Sequence, residues 1–306
     1  MKKALVFAGG GSKGAYQYGA WKALREEGES FDLAVGTSIG AINAGFYVQD
    51  DFEAAGEMWH ELNPDSVMTN GMNFEKSLAA LYEQRESIAP FLKTYFKDGA
   101  GADITPFLNC LKKYANEEKF FHSPVDYALL TVKSQGMQPL EILKKDIKPG
   151  YFVQWLNASC ACFPAFPRCE IDGQMYVDGG YYDNLPILTA LRMGSDDITA
   201  IDLRPEGNHP AYIHHPQVRY LKPSKDLGSF LCFDRQVLDS LIQLGYHDTL
   251  RFFGRVKGLN YFFDNSADQQ SRRAPAARRF LRQINAAELM YESNRRSVLS
   301  RAARSA

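Results

Sequence analysis

Three short stretches of this 306-residue chain combine residue types and spacings that do chemistry. The first is Gly9-Gly10-Gly11-Ser12-Lys13-Gly14. Backbone N–H groups gathered at a helix start attract negative charge, because unpaired donors and the helix dipole point the same way. The run satisfies the G-x-G-x-x-G pattern of dinucleotide sites, and Asp32 follows at close to the distance of a ribose-binding acid. That acid belongs at the carboxyl end of the second strand, whereas Asp32 stands at its beginning. A phosphate-binding P-loop is excluded, since Ala15 and Tyr16 follow Gly14 where Lys and Ser or Thr are required. A tight turn with no ligand is the alternative.

The second stretch is Gly36-Thr37-Ser38-Ile39-Gly40, a G-x-S-x-G pattern. Between a strand and a helix, such a turn strains the serine backbone, projects its hydroxyl, and sets it at the positive end of the following helix. The third is Asp178-Gly179-Gly180, followed by Asn184. An aspartate before two glycines commonly makes only a turn. A serine hydroxyl, however, is a poor nucleophile until a base takes its proton, so any serine chemistry here needs a partner for Ser38.

The elements around these stretches read as strand, glycine loop, helix, strand, turn, helix. Residues 3–8 form a buried strand, Ala15–Glu27 a helix, Phe31–Val35 a second short apolar run, and Ala41–Val48 a small-residue helix. That alternation builds a parallel sheet with helices on its faces. Residues 50–122 have mostly helical periodicity and are expected as an insertion. Strand character returns at Val125–Val132, at Ile171–Val177 after an Asp172-Gly173 turn, and at Ile198–Leu203. Leu238–Val256 reads as a long helix. Phe74, Leu78, Leu81, Tyr82, Phe91 and Phe96 would line an acyl channel or pack as plain core.

Composition narrows the function classes. Hydrophobic residues make up 45% and charged residues 23%, which excludes disorder throughout and a small disulfide scaffold. Lys and Arg number 35 against 36 Asp and Glu, so the chain as a whole has no electrostatic attraction for nucleic acid. Residues 271–306, by contrast, hold nine Arg and two Glu on an acidic body. We expect 1–270 as a catalytic domain and 271–306 as a basic tail, either docking on anionic membrane or pairing with the body. Five Cys at spacings without a paired metal knuckle suggest reduced thiols and a cytoplasmic protein. The apolar run Ala4–Ala8 is too short for a signal peptide, and no stretch is apolar enough to span a bilayer.

In order, the glycine loop, Gly36 to Gly40 with Ala41 and Asn43, Ala158-Ser159 leading to Pro164 and Phe166-Pro167, and Asp178-Gly179-Gly180 resemble the signature blocks of the patatin-like phospholipases. The likeness spans residues 4 to about 203, with Ala8 standing where many members carry Asp. It implies a three-layer α/β/α fold with a mainly parallel sheet, and an enzyme cleaving lipid carboxylic esters through an acyl-serine intermediate. It implies Ser38 as nucleophile, Asp178 as base, and the N–H groups of Gly10 and Gly11, with Gly9, as an oxyanion hole. Lys13 and Gly14 would support the loop, and Gly36, Gly40, Gly179 and Gly180 would be motif glycines. No metal or other cofactor is implied. The rivals are a non-catalytic nucleotide- or lipid-binding protein and a Ser-His-Asp α/β-hydrolase. For the latter only His209, His214, His215 and His247 follow Asp178, and a serine at position 38 leaves too few preceding strands.

Overall fold

The computed structural model describes residues 1–69, 103–163, 165–204, 214–258, 263–264 and 282–291. The strands are β1 Lys3–Phe7, β2 Leu33–Thr37, β3 Asp126–Lys133, β4 Gln138–Leu143, β5 Cys169–Ile171, β6 Gln174–Asp178, β7 Asp197–Ile201 and β8 Val218–Leu221. The helices are α1 Gly14–Glu26, α2 Ile39–Val48, α3 Phe52–Glu61, α4 Pro64–Val67, α5 Thr105–Tyr114, α6 Glu117–His122, α7 Phe152–Cys160, α8 Ile187–Arg192 and α9 Arg235–Phe252. Contacts divide the chain into two compact units, Met1–Tyr246 and His247–Ala306. The boundary expected at 270 falls outside the described residues. So do positions 74–96, including the side chains expected to line an acyl channel.

The eight strands described in the first unit form one sheet in the order β5-β6-β3-β2-β1-β7-β8, with β4 paired to β3. Strands β3, β2, β1, β7 and β8 run parallel, while β4 and β6 are antiparallel to β3, and β5 to β6. Val6 of β1 faces Val35 of β2 on one side and Ala200 of β7 on the other. Successive side chains of a strand point to opposite faces, and Ala4–Phe7 and Leu33–Thr37 are buried throughout, so both faces are covered. On one face α2 packs on β1, β2 and β3, and on the other α8 packs on β1, β2 and β7. Neighbouring residues of β2 mark the two faces. A Cβ on Gly36 would stand 2.1 Å from the Gly40 carbonyl oxygen in α2, while the Thr37 hydroxyl donates to the Asp183 carbonyl ahead of α8 at 2.9 Å. The architecture is three-layer α/β/α.

Two expected features differ in detail. The strand at 171–177 is a hairpin, with Asp172-Gly173 turning β5 into β6, because Asp172 and Gly173 both adopt positive φ. The long helix begins and ends earlier than the apolar pattern suggests, at Arg235 and Phe252. Strands β4 and β8 and helices α7 and α8 had no expectation. Helix α7 is anchored by Phe152, whose ring stacks on Phe120 at 3.9 Å between centroids. The second unit contains the two-residue ladder Val256–Lys257 with Phe263–Asp264 and a helix over 282–291.

Candidate active site

Strand β3 is eight residues long, and its pairing on one edge changes partner midway. Leu33 to Thr37 of β2 pair with Asp126 to Leu130, whereas Asp178 to Tyr176 of β6 pair with Thr131 to Lys133. Strands β2 and β6 therefore approach each other head to head along one edge, with Thr37 opposite Leu130 and Asp178 opposite the next residue, Thr131. The turn leaving β2 and the last residue of β6 must meet. Ser38 Oγ donates to Asp178 Oδ2 at 2.6 Å.

Ser38 adopts φ 56° and ψ −129°, a conformation that costs a non-glycine residue about 1–3 kcal/mol. Close packing and hydrogen bonds hold it there. A Cβ on Gly40 would stand 2.4 Å from the Phe7 carbonyl oxygen, so only glycine lets α2 start against β1. The Ser38 N–H donates to Ser159 Oγ at 2.8 Å, and that hydroxyl donates to the Leu130 carbonyl at 2.7 Å. Ser159, fully buried at the end of α7, thus ties the strained turn to β3. The block Ala158-Ser159 was legible in the chain, but its task was not.

Asp178 is buried, and burial pushes its carboxyl up from 3.8 to about 6. The hydrogen bonds from Ser38 and from the Gly180 N–H, the latter at 2.7 Å to Oδ1, oppose that rise. The result is a carboxylate still mainly ionised at neutral pH and more basic than a solvated aspartate. Gly179 lies against the backbone, where a Cβ would be 2.4 Å from the Leu130 carbonyl oxygen.

The glycine loop runs beside this pair from the carboxyl end of β1. Gly9 and Asn184 exchange hydrogen bonds, Gly9 N–H to the Asn184 carbonyl and Asn184 Nδ2 to the Gly9 carbonyl, both at 2.9 Å. The Gly9 N–H is therefore committed, contrary to its expected place in an oxyanion hole. The Ser12 N–H is likewise taken by the Phe230 carbonyl at 2.8 Å. Gly10 and Gly11 are left with N–H groups that have no partner among the described residues, and both border the cavity that Ser38 opens into. Gly11 has φ 55°, and a Cβ there would be 2.0 Å from the Phe230 carbonyl oxygen. Lys13 ends the single turn of 3-10 helix before α1 and is half-buried.

Beneath the loop is a buried polar chain that sequence reasoning missed. Trp59 Nε1 donates to Asn43 Oδ1 at 3.1 Å, and Asn43 Nδ2 donates to Gln17 Oε1 at 2.9 Å and to the Gly14 carbonyl at 3.1 Å. Gln17 Nε2 donates to the Ala8 carbonyl at 2.8 Å. Both ends of the glycine loop, Ala8 and Gly14, are thereby clamped by side chains fully out of water, where an unpaired polar group is costly. Asn43 appeared in the sequence only as part of a motif, and Gln17 carried no signal.

The cavity has a volume of about 260 Å³ and mainly apolar walls, among them Phe107, Phe166, Phe230, Leu231 and Phe233. Among the described residues no histidine borders it, and no three His, Cys, Asp or Glu side chains are grouped to hold a metal. Burial raises the thiols beside it, Cys160 well above its ordinary value and Cys162 to about 11, so both stay protonated. Asp32 is at the opposite end of the sheet, accepting the Lys3 N–H at 2.8 Å, where no ribose bound at the glycine loop would reach it. The dinucleotide reading loses its acid.

The sequence model of the patatin-like phospholipases matches residues 5–191, more than half of the chain. The chain belongs to the patatin-like phospholipase family. Relatives include the lysophospholipase NTE1 of Lodderomyces elongisporus, 25% identical over 209 residues covering 65% of this chain and 12% of that protein. The lysophospholipase nte1 of Aspergillus terreus is 28% identical over 215 residues, again 65% and 12%. The chain thus matches about an eighth of the length of these relatives. Among solved structures, VipD from Legionella pneumophila gives a TM-score of 0.45 at 14% identity over 83% of this chain and 66% of that one. The Pseudomonas aeruginosa ExoU–SpcU complex gives 0.39 at 14% identity, covering 98% and 61%.

Proposed function

We propose that this member of the family is a lipid acyl hydrolase that works through a Ser38–Asp178 dyad. The observation that carries the reading is the 2.6 Å hydrogen bond from Ser38 Oγ to a buried, basic carboxylate at the floor of an apolar cavity. As Oγ bonds to the ester carbonyl carbon, its proton passes to Asp178 Oδ2 and the carbonyl π electrons move onto oxygen. The N–H groups of Gly10 and Gly11 receive that oxyanion, and one such donor is typically worth about 3 kcal/mol in the transition state. Collapse breaks the bond to the alcohol oxygen, which leaves with the proton from Asp178. Water then attacks the acyl-serine, gives its proton to Asp178, and the second collapse frees the fatty acid and returns the proton to Ser38.

The substrate class is a lipid or fatty ester, matching the apolar walls and the lysophospholipase relatives. A fluorophosphonate probe tests the reading. Covalent labelling of wild type, lost in Ser38→Ala, together with fatty-acid release from lysophospholipid, is expected. A folded wild type that takes no label would refute it and leave a binding protein.

Peripheral contact with anionic membrane through 271–306 is the second part of the proposal, in keeping with a cytoplasmic site of action. No helix of the described residues is long and apolar enough to cross a membrane. The helix over 282–291 exposes Leu289, Met290 and Tyr291 beside a segment rich in Arg. Each basic group near an anionic surface contributes about 1 kcal/mol, screened by salt. Co-sedimentation with anionic vesicles should fall when the chain is cut after Gln270, and fall further at high salt. Equal binding by both forms would remove the tail from the reading.

A further inference from the structure

The match to the family ends at residue 191, yet part of the cavity wall comes from Phe230, Leu231 and Phe233, further along the chain. The segment Ser229–Phe233 lies across the glycine loop as a strap. It is pinned there by the Ser12 N–H to the Phe230 carbonyl at 2.8 Å and by the Ser12 hydroxyl to the Ser229 carbonyl at 3.1 Å. Phe233 is 5% exposed and Phe230 43% exposed, and both border the cavity together with Leu231. The strap therefore presents a buried ring inside the cavity and a half-open one at its surface. Its packing on Gly11 also keeps the wall in register with the two free N–H groups.

We infer that this strap is the acyl-binding wall and sets the acyl length the enzyme prefers. The inference rests on the dyad reading above and adds to it the substrate class. Each methylene moved from water into an apolar wall raises kcat/KM by up to about fourfold. Further methylenes extend past the exposed Phe230 into water and gain little.

The experiment measures kcat/KM for soluble 4-nitrophenyl esters from C2 to C12, each below its critical micelle concentration, with the full chain. For wild type, the rate constant should climb steeply with chain length and then level within the series. In Phe233→Ala the vacated ring space holds about three more methylenes, so the break moves to longer chains. In Phe233→Trp it moves to shorter ones. Partial unfolding of either variant lowers all chain lengths together and leaves the break in place, so opposite displacements identify the wall. A wild-type profile without a break up to C12, or one break position shared by all three proteins, overturns the inference. The dyad reading fails separately, in a folded wild type that neither cleaves any ester nor takes fluorophosphonate.

Discussion

Replacing Asp178 by Asn should make the protein more stable while abolishing its activity. The carboxyl titrates near 6 in the folded protein and near 3.8 when solvated, because burial disfavours its charge. Between those values the unfolded chain has released the proton and the folded chain has kept it, so stability falls as pH rises, and the loss is complete above about 6. At about 1.4 kcal/mol per tenfold step, the penalty reaches about 3 kcal/mol at pH 8 and about half of that at pH 5. An amide escapes this penalty and still bonds to both neighbours, with the Ser38 bond reversed in direction. Its oxygen accepts the Gly180 N–H and its NH2 donates to Ser38 Oγ, the two groups that now bond to Asp178. Urea unfolding of wild type and Asp178→Asn at pH 5 and pH 8 isolates the effect, since every other titrating group is common to both proteins. The variant should be more stable by an increment that grows by about 1.5 kcal/mol between the two pH values, and it should release no fatty acid. An increment that is absent, or equal at both pH values, would show that Asp178 carries no burial penalty and undermine its assignment as a raised, basic carboxylate.

Three further outcomes follow from the same geometry. Because the base must be ionised, kcat/KM should rise tenfold per pH unit below about 6 and level above it, in a pH–rate profile free of histidine dependence. Ser159→Ala leaves the Ser38 N–H without its acceptor, so unfolding should show a loss of about 1–3 kcal/mol and ester hydrolysis a lower kcat with KM little changed. Gln17→Met keeps the shape but removes the clamp on the Ala8 carbonyl and one partner of Asn43, and about 1–3 kcal/mol of stability should go with it. Slower fluorophosphonate labelling in that variant would place the effect at the loop.

The opening strand, loop, helix, strand, turn and helix were legible in the chain because each depends on neighbours in sequence. An apolar run, glycines where backbones touch, and a helical stripe are local signals, and α2 and β2 fall within a few residues of the positions they imply. Strands β4 and β8 were not legible. Gln138–Leu143 is an edge strand carrying Pro139 and half-exposed residues, and Val218–Leu221 is four residues long, so neither shows an apolar run. Helix α7 owes its place to Phe152 stacking on Phe120, a tertiary contact.

For the site, residue types determined the candidates and long-range pairing determined their geometry. Gly36 to Gly40 mark a strained serine turn by local pattern alone, whereas Asp178 reads locally as a turn residue and gained a role only through the family likeness. The register of β3 brings them together, with Leu130 facing Thr37 and Thr131 facing Asp178, across 140 positions of sequence. The same holds for the committed Gly9 N–H, the Gln17–Asn43 clamp and the strap at Ser229–Phe233. Each is a hydrogen bond or packing contact between distant segments, and whether a donor is free or a ring faces a cavity depends on what the folded chain places opposite it. Sequence determines which groups are available, and only closure of the sheet decides which of them remain unpaired and able to act on a substrate.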